Sequence, residues 1–448
     1  MITKLTLFNN PKSNHHLIRI FLFTSITLLF QVNNWDKGSF LGDEPHYLIT
    51  SISIIKDFDL NVYNNYQNKD FRLFGFTNLN PQVREKNKFI PPEHGIGFPL
   101  LIASPYTFFN VSGVRLILVL ISFSTIFLVS YTCDVLKYHK KTGTMAGLLL
   151  VSSSTWQLHA SRIFPECFAG FFFILVIFFI ESQFLTKCEK TMTFILGAMV
   201  AFFPILYLKY TTIGIALFFY CISKKKIRTS YFYYISILIT GIFSAYFWIK
   251  TYGLSIAIGT GGGFHDFALS GSFDRFWKPW FDRNHGLLVF QPIFLLSFWV
   301  IPAYLSFKKN NFNPLFFFGT LSVLGYIVMY GLFKHGPGSS LTGRYLCAIL
   351  PILSIFLTKW AFDKKGFGRV KEYVFYLLLS LEIIFILLTA LKSNLPDFYV
   401  NLFSPYWLFN SSDFRSQTYS LGYYVVGIVF FSKAAAHFPQ RYLKRLYY

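Results

Sequence analysis

Two adjacent acids, Asp43 and Glu44, open the motif GDEPHYL (42–48). A carboxylate there can act as general base on a hydroxyl nucleophile, provided that it is held within hydrogen-bond reach. Pro45 suits the first turn of a helix, which places Asp43 near the N-cap, where a carboxylate meets free backbone N–H groups. Spacing alone leaves both roles open, cap or base. Glu166, in RIFPE (162–166), stands at the start of a long apolar helix. It complements the helix dipole there or joins Asp43 in one site. Glu93, in PPEHGIGFP (91–99), stands beside His94.

The cations expected on the same face are Arg115, Arg162, Lys209, Arg275, Arg283, His285, Lys334, His335 and Arg344. Ionisable groups in such places are costly and tend to line a pathway or bind something. Arginine, with its planar fork, suits a phosphate. Arg344, Arg115, Lys209 and Arg162 are therefore candidates for a lipid-phosphate headgroup, and pairing with a nearby acid such as Asp282 is the alternative. GTGGGF (259–264) lacks a preceding strand and a G-K-[ST] step, which argues against a phosphate-cradling loop. His265 and Asp266 end that glycine-rich segment. Glu93, His94 and His265 are candidates for substrate contacts or for a divalent cation, but nothing in the sequence fixes their separation.

These residues must be positioned by a chain of 448 residues that is 54% apolar, 21% aromatic and only 14% charged, with a mean hydropathy of +0.46. Soluble domains carry about 25% charged residues. A water-soluble enzyme, a disordered chain and a coiled coil are excluded. The chain reads as an all-α polytopic membrane protein. The formal charge of +21 then reflects Lys and Arg gathered in cytoplasmic loops, and nucleic acid is not an expected partner.

A bilayer core needs roughly 20 apolar residues per helix. Apolar runs fall at about 17–34, 113–136, 143–160, 165–185, 191–207, 210–223, 231–250, 286–306, 313–333, 344–361, 373–391 and 421–437. About twelve helices place both termini in the cytoplasm, in a single transmembrane domain. KYHKK (137–141), KKKIR (224–228), Lys308 and Lys309, KKGFGRVK (364–371) and the tail cations then share one face, as positive-inside sorting requires. The other face receives loops near 35–112, 251–285, 334–343 and 392–420. The first contains two apolar stretches too short to span, 45–56 and 95–109, expected to lie in the membrane interface. The five cysteines form no C-x-x-C pair, so neither a disulfide framework nor a zinc site is expected. The N-terminal run ends without a small-residue cleavage site and reads as an uncleaved first helix.

The order of four motifs resembles the GT-C superfamily of polyprenyl-phosphate-sugar glycosyltransferases, in particular its protein O-mannosyltransferase-like and aminoarabinose-transferase-like members. The motifs are GDEPHYL (42–48), PPEHGIGFPLL with SGVRL, FPE (164–166), and GRYLCAILP (343–351). The similarity is tight over residues 35–170 and loose beyond. It implies a GT-C-like bundle whose first outer loop carries juxtamembrane helices. It also implies inverting transfer of a sugar from a polyprenyl-phosphate donor to a glycan, lipid or protein acceptor. The setting implied is a bacterial inner membrane, with the active site facing the periplasm or exterior. By the same resemblance Asp43 is the base, Glu44 supports the site, and Glu166 orients the acceptor or the base. Many relatives carry an Asp where Glu166 stands and Lys-Pro where Glu93-His94 stands. A multi-pass transporter or lipid flippase is the competing reading, since many helices with interior charges suit it as well. Against it stand the lack of a two-half repeat and the long, early outer loop.

Overall fold

The computed structural model describes residues 19, 22–27, 40, 42–83, 85, 87–92, 94–160, 162–182, 188–252, 272–281, 286–305, 313–332, 343–363 and 368–391. Every regular element among them is a helix. Four described helices are long and apolar enough to cross a bilayer: Gly97–Val135, Glu189–Leu206, Pro314–Leu332 and Arg344–Ala361. Other apolar helices accompany them, among them Glu166–Glu181 and Tyr231–Tyr252. Leu238, Ile239, Ile242 and Tyr246 of the last lie exposed, a surface suited to lipid rather than water.

Where the apolar runs fall on described residues they correspond to helices, with breaks where local chemistry dictates them. The 143–160 run divides into Lys140–Val151 and Ser154–His159. The hydroxyl of Ser153 accepts from the Trp156 amide at 3.2 Å and starts the second helix as an N-cap. The 286–306 run divides into Leu287–Phe290, Pro292–Leu296 and Ser297–Leu305, because Pro292 has no N–H to continue a helix. The 191–223 stretch divides into Glu189–Leu206 and Thr211–Ser223. Tyr207 between them is extended, and Leu208–Tyr210 forms one 3-10 turn. Lys209 therefore sits in a turn between two helices, at the break that the runs 191–207 and 210–223 leave between them. The 421–437 run, the 392–420 loop and most of the 17–34, 251–285 and 334–343 segments lie outside the described residues.

The first outer loop departs from expectation in one respect. Residues 45–56 do form a helix, Glu44–Lys56, but every residue from Glu44 to Ser53 is buried. A helix lying on a bilayer surface keeps a polar face in water; this one is enclosed. Burial is tolerated because its hydroxyls are satisfied. Thr50 donates to the His46 carbonyl and Ser51 to the Tyr47 carbonyl, both at 2.9 Å, while Ser51 also reaches the Pro99 carbonyl at 3.1 Å. The helix thus packs against Gly97–Val135. The latter is two helices joined at a kink, where Phe109 and Asn110 leave helical geometry and Asn110 takes φ +52°. Residues 97–108 are the second short helix of the loop, and the spanning segment follows the kink.

Candidate active site

Asp43 stands at the N-cap position of Glu44–Lys56, but its side chain makes no capping bond. Its main-chain carbonyl accepts from the amides of His46 (3.0 Å) and Tyr47 (3.2 Å), which leaves the carboxylate free. That carboxylate turns to partners brought from elsewhere in the chain. Oδ2 accepts from Arg344 Nη2 at 2.9 Å, and Oδ1 lies 3.6 Å from His94 Nε2. The N-cap expectation is therefore half right: the position is a cap, the acid is not capping.

Glu166 is the first residue of Glu166–Glu181. Its Oε1 accepts from Lys209 Nζ at 2.9 Å and from Arg344 Nε at 3.1 Å. Arg344 thereby bridges both acids with two edges of one guanidinium, a use of the planar fork that lysine cannot match. The cluster runs His94–Asp43–Arg344–Glu166–Lys209, assembled from five separate stretches of chain. Two carboxylates face one guanidinium and one ammonium at its centre, so the buried charges are paired, as burial requires.

Close backbone approach and aromatic rings hold the cluster. Gly343 has φ +68°, and a Cβ there would come within 2.3 Å of Thr155 Oγ1. The chain thus turns tightly against the Ser154–His159 helix just before Arg344. Arg344 Cζ lies 3.8 Å from the centre of the Phe164 ring. Lys209 Nζ lies 4.9, 5.2 and 5.4 Å from the rings of Tyr207, Tyr210 and Tyr345, contacts in which the ring faces attract a cation. Gly95 lets the His94 loop lie directly on the end of Glu189–Leu206; a Cβ there would meet the Leu206 carbonyl at 2.7 Å. His94 rests between Tyr47 and Tyr207, with ring centres 4.9 and 5.9 Å away.

Exposure separates the two acids. The Asp43 side chain keeps 23% of its surface, whereas Glu166 keeps none and Arg344 and Lys209 keep 6% and 7%. Asp43 is the reachable acid; Glu166 is an interior counter-ion. Burial by itself would raise the Asp43 carboxyl, but the charges of and hydrogen bonds with His94 and Arg344 outweigh it and hold the group well below the usual carboxylate range. Asp43 is ionised at any working pH.

Of the remaining candidates, Glu44 and Arg162 connect to this centre. Glu44 is fully buried; its Oε1 accepts from the Ile163 amide at 2.7 Å, and Oε2 lies 3.7 Å from Arg162 Nη1. It ties the segment leading into Glu166 to the Asp43 helix. Arg162 accordingly faces Glu44. The guanidinium of Arg115 lies over the Phe40 ring, 5.5 Å from its centre, and Arg275 Nε donates to the Gly331 carbonyl at 3.0 Å. Glu93 and His265 lie outside the described residues. Among the described residues no group of three or more His, Cys, Asp or Glu is placed to hold a metal ion.

Sequence reasoning quoted Phe164, Gly343 and Tyr345 within motifs but gave them no role, and it did not single out Tyr207 or Tyr210. In a chain with 57 Phe and 28 Tyr an aromatic residue carries little signal by itself. Their adjacency to Glu166, Lys209 and Arg344 was the available clue.

The sequence matches no protein-family model, and it matches none of the curated proteins. Its structure is similar to two crystal structures of ArnT from Cupriavidus metallidurans. One is bound to undecaprenyl phosphate (12% identity, TM-score 0.52, 86% of this chain and 77% of that chain). The other is in the apo state (12% identity, TM-score 0.53, 87% and 77%). At this identity the likeness speaks for the fold, and with the apolar helices and the order of the four motifs it gives the conclusion that this chain has the GT-C membrane fold.

Proposed function

We propose that this protein is an inverting glycosyltransferase that moves a sugar from a polyprenyl-phosphate donor to a hydroxyl acceptor on the non-cytoplasmic membrane face, with Asp43 as general base. The observation that carries this reading is the 2.9 Å contact between Arg344 Nη2 and Asp43 Oδ2. It sets a phosphate-suited cation beside the one acid of the cluster that substrate can reach. That ArnT has been crystallised with undecaprenyl phosphate supports a lipid phosphate as the leaving group.

In the reaction the acceptor oxygen attacks the anomeric carbon on the face opposite the phosphate. The bond from that carbon to the phosphate oxygen breaks, and its electron pair stays on the phosphate. The acceptor's proton passes to Asp43. Negative charge grows on the departing phosphate, where Arg344 and Lys209, already fixed in place, lower the barrier without reorganising. Glu166 touches both cations from the buried side and acts as a positioning residue. Glu44 is a positioning residue too, through the Ile163 amide. His94, on the outer oxygen of Asp43, orients the base toward the acceptor.

The test is product formation in nanodiscs loaded with polyprenyl-phosphate-linked hexoses, followed by mass spectrometry. The wild-type protein releases polyprenyl phosphate and forms a glycosylated acceptor. Asp43→Asn, nearly isosteric but not basic, retains the donor lipid and forms no product. Undiminished transfer by Asp43→Asn overturns the assignment.

A further inference from the structure

Three helices lead away from the Asp43 cluster: Glu166–Glu181 begins at Glu166, and Glu189–Leu206 and Thr211–Ser223 meet beside Lys209. The 18 residues of Glu189–Leu206 rise about 27 Å, close to the thickness of a bilayer core. Their far ends also meet, since Lys224 pairs with Glu181 at 2.5 Å. Beyond Ser223 the chain makes one short turn, Lys225–Arg228, and enters Tyr231–Tyr252. That return is fixed against Glu189–Leu206. The Tyr234 hydroxyl donates to the Arg228 carbonyl at 3.0 Å, and the Thr193 and Ser230 hydroxyls share a buried 2.7 Å bond. Gly197 lets the two helices touch, because a Cβ there would come within 2.4 Å of the Tyr233 carbonyl. Lys190 of one helix is thereby set beside the start of the other, its ammonium 5.8 Å from the centre of the Phe232 ring.

Four exposed cations collect at this corner: Lys190, Lys225, Lys226 and Arg228. Lys224, Lys141 and Arg19, by contrast, are matched by Glu181, Glu372 and Asp134. Among the described residues no ion pair joins any of the four to a carboxylate. Glu189 is the acid nearest to them in sequence, and the segment QFLTK between Ser182 and Cys188 holds none. Beside the cations begins the lipid-facing side of Tyr231–Tyr252, with Tyr231, Phe232, Tyr234, Ile235, Leu238 and Ile242 exposed. Aromatic rings at its start suit the level of lipid headgroups, and the aliphatic strip that follows suits acyl chains. A zwitterionic headgroup would bring its own cation to a corner that already has an excess. A headgroup of net negative charge is the complement.

We infer that this corner binds an anionic phospholipid, its phosphate held by Lys190, Lys225, Lys226 and Arg228 and its acyl chains lying along Tyr231–Tyr252. The site is at the opposite end of the spanning helices from Asp43 and does not depend on the base assignment. A lipid bound there clamps two helices, since Lys190 belongs to Glu189–Leu206 and the other three cations lead into Tyr231–Tyr252. The first of these helices carries Lys209 at its far end, so the clamp steadies a helix on which the charge cluster rests.

The test uses the full chain in nanodiscs of mixed phosphatidylglycerol and phosphatidylcholine, released into detergent and weighed with its retained lipids by native mass spectrometry. The wild type retains phosphatidylglycerol in preference to phosphatidylcholine. One basic side chain at an anionic surface contributes about fivefold, so Lys225→Gln/Lys226→Gln/Arg228→Gln lowers that preference about tenfold or more. Lys190→Gln, on the other helix, lowers it about fivefold and decides the matter if the triple variant does not fold. Lys137→Gln/Arg369→Gln removes exposed cations placed elsewhere and leaves the preference unchanged. A second arm replaces phosphatidylglycerol by polyprenyl phosphate, to separate the two sources of a lipid phosphate. Loss of polyprenyl phosphate in place of phosphatidylglycerol from the triple variant assigns the corner to the donor and overturns the inference. So does a wild type without preference, a triple variant or Lys190→Gln that keeps it, or an equal loss in the Lys137→Gln/Arg369→Gln control.

Discussion

Arg344 and Asp43, 301 positions apart in the chain, meet in a 2.9 Å hydrogen bond between Nη2 and Oδ2. The same guanidinium holds Glu166 through Nε, so one side chain sets the distance between the exposed acid and the buried one. Everything functional in the account depends on that bridge.

Arg344→Lys keeps the charge but can serve only one acid at a time. Transfer is expected to fall by about 10²-fold or more, in the range seen when one transition-state donor is removed. Binding of polyprenyl phosphate weakens more than binding of the acceptor. Donor and acceptor titrations on the same preparation check this; selective loss of acceptor binding reassigns Arg344 to the acceptor side.

Glu166→Gln leaves Arg344 and Lys209 buried with a single carboxylate between them. Removing one partner of a buried ion pair costs about 3–5 kcal/mol, so a marked drop in thermal stability is expected. Lys209→Met in the Glu166→Gln background recovers part of it, because the orphaned ammonium is gone. A double-mutant cycle by thermal denaturation in detergent measures the coupling. Strict additivity contradicts the buried contact of 2.9 Å.

The Asp43 carboxyl lies below its ordinary value in the folded protein. A depressed acid adds stability that is fully present above its unfolded pKa of about 4, and that is lost as pH falls toward the folded value. The stability difference between wild type and Asp43→Asn should therefore be flat from neutral pH down to about 5 and shrink below about 4. Melting curves across that range decide it. Any acid limb of activity above pH 5 then belongs to another group.

Gly343→Ala places a Cβ at φ +68° and drives it against Thr155 Oγ1. Either effect shifts the turn that aims Arg344. Activity is expected to fall further than stability. Thr155→Ala in the same protein restores activity only in part, since it removes the closest atoms and leaves the unfavourable φ. Full restoration assigns the whole effect to the clash.

How much of this was legible in the sequence depends on which kind of signal carries it. Helix runs are set by composition over some 20 residues, and among the described residues their places were readable, the break near Tyr207 included, except where Ser153 and Pro292 divide them. The acids Asp43 and Glu166 and the cation Arg344 were readable because charge in an apolar chain is conspicuous. Their mutual contact was not, since it links positions 301 and 178 residues apart. The Glu44–Lys56 helix misled for a related reason: its alternating polar groups suggest a wet face, while in the fold they bond to their own backbone carbonyls. The roles of Glu44 and Arg162 were likewise hidden, because Glu44 spends one oxygen on the Ile163 amide, a main-chain group that no residue type announces.

The most direct test of the account is a structure with bound polyprenyl phosphate. The account predicts the phosphate within hydrogen-bond distance of Arg344 or Lys209, with the Asp43 carboxylate facing the vacant position of the sugar. A phosphate bound instead at the other end of the Glu166–Glu181 helix, beside Lys224 where it pairs with Glu181, would contradict it.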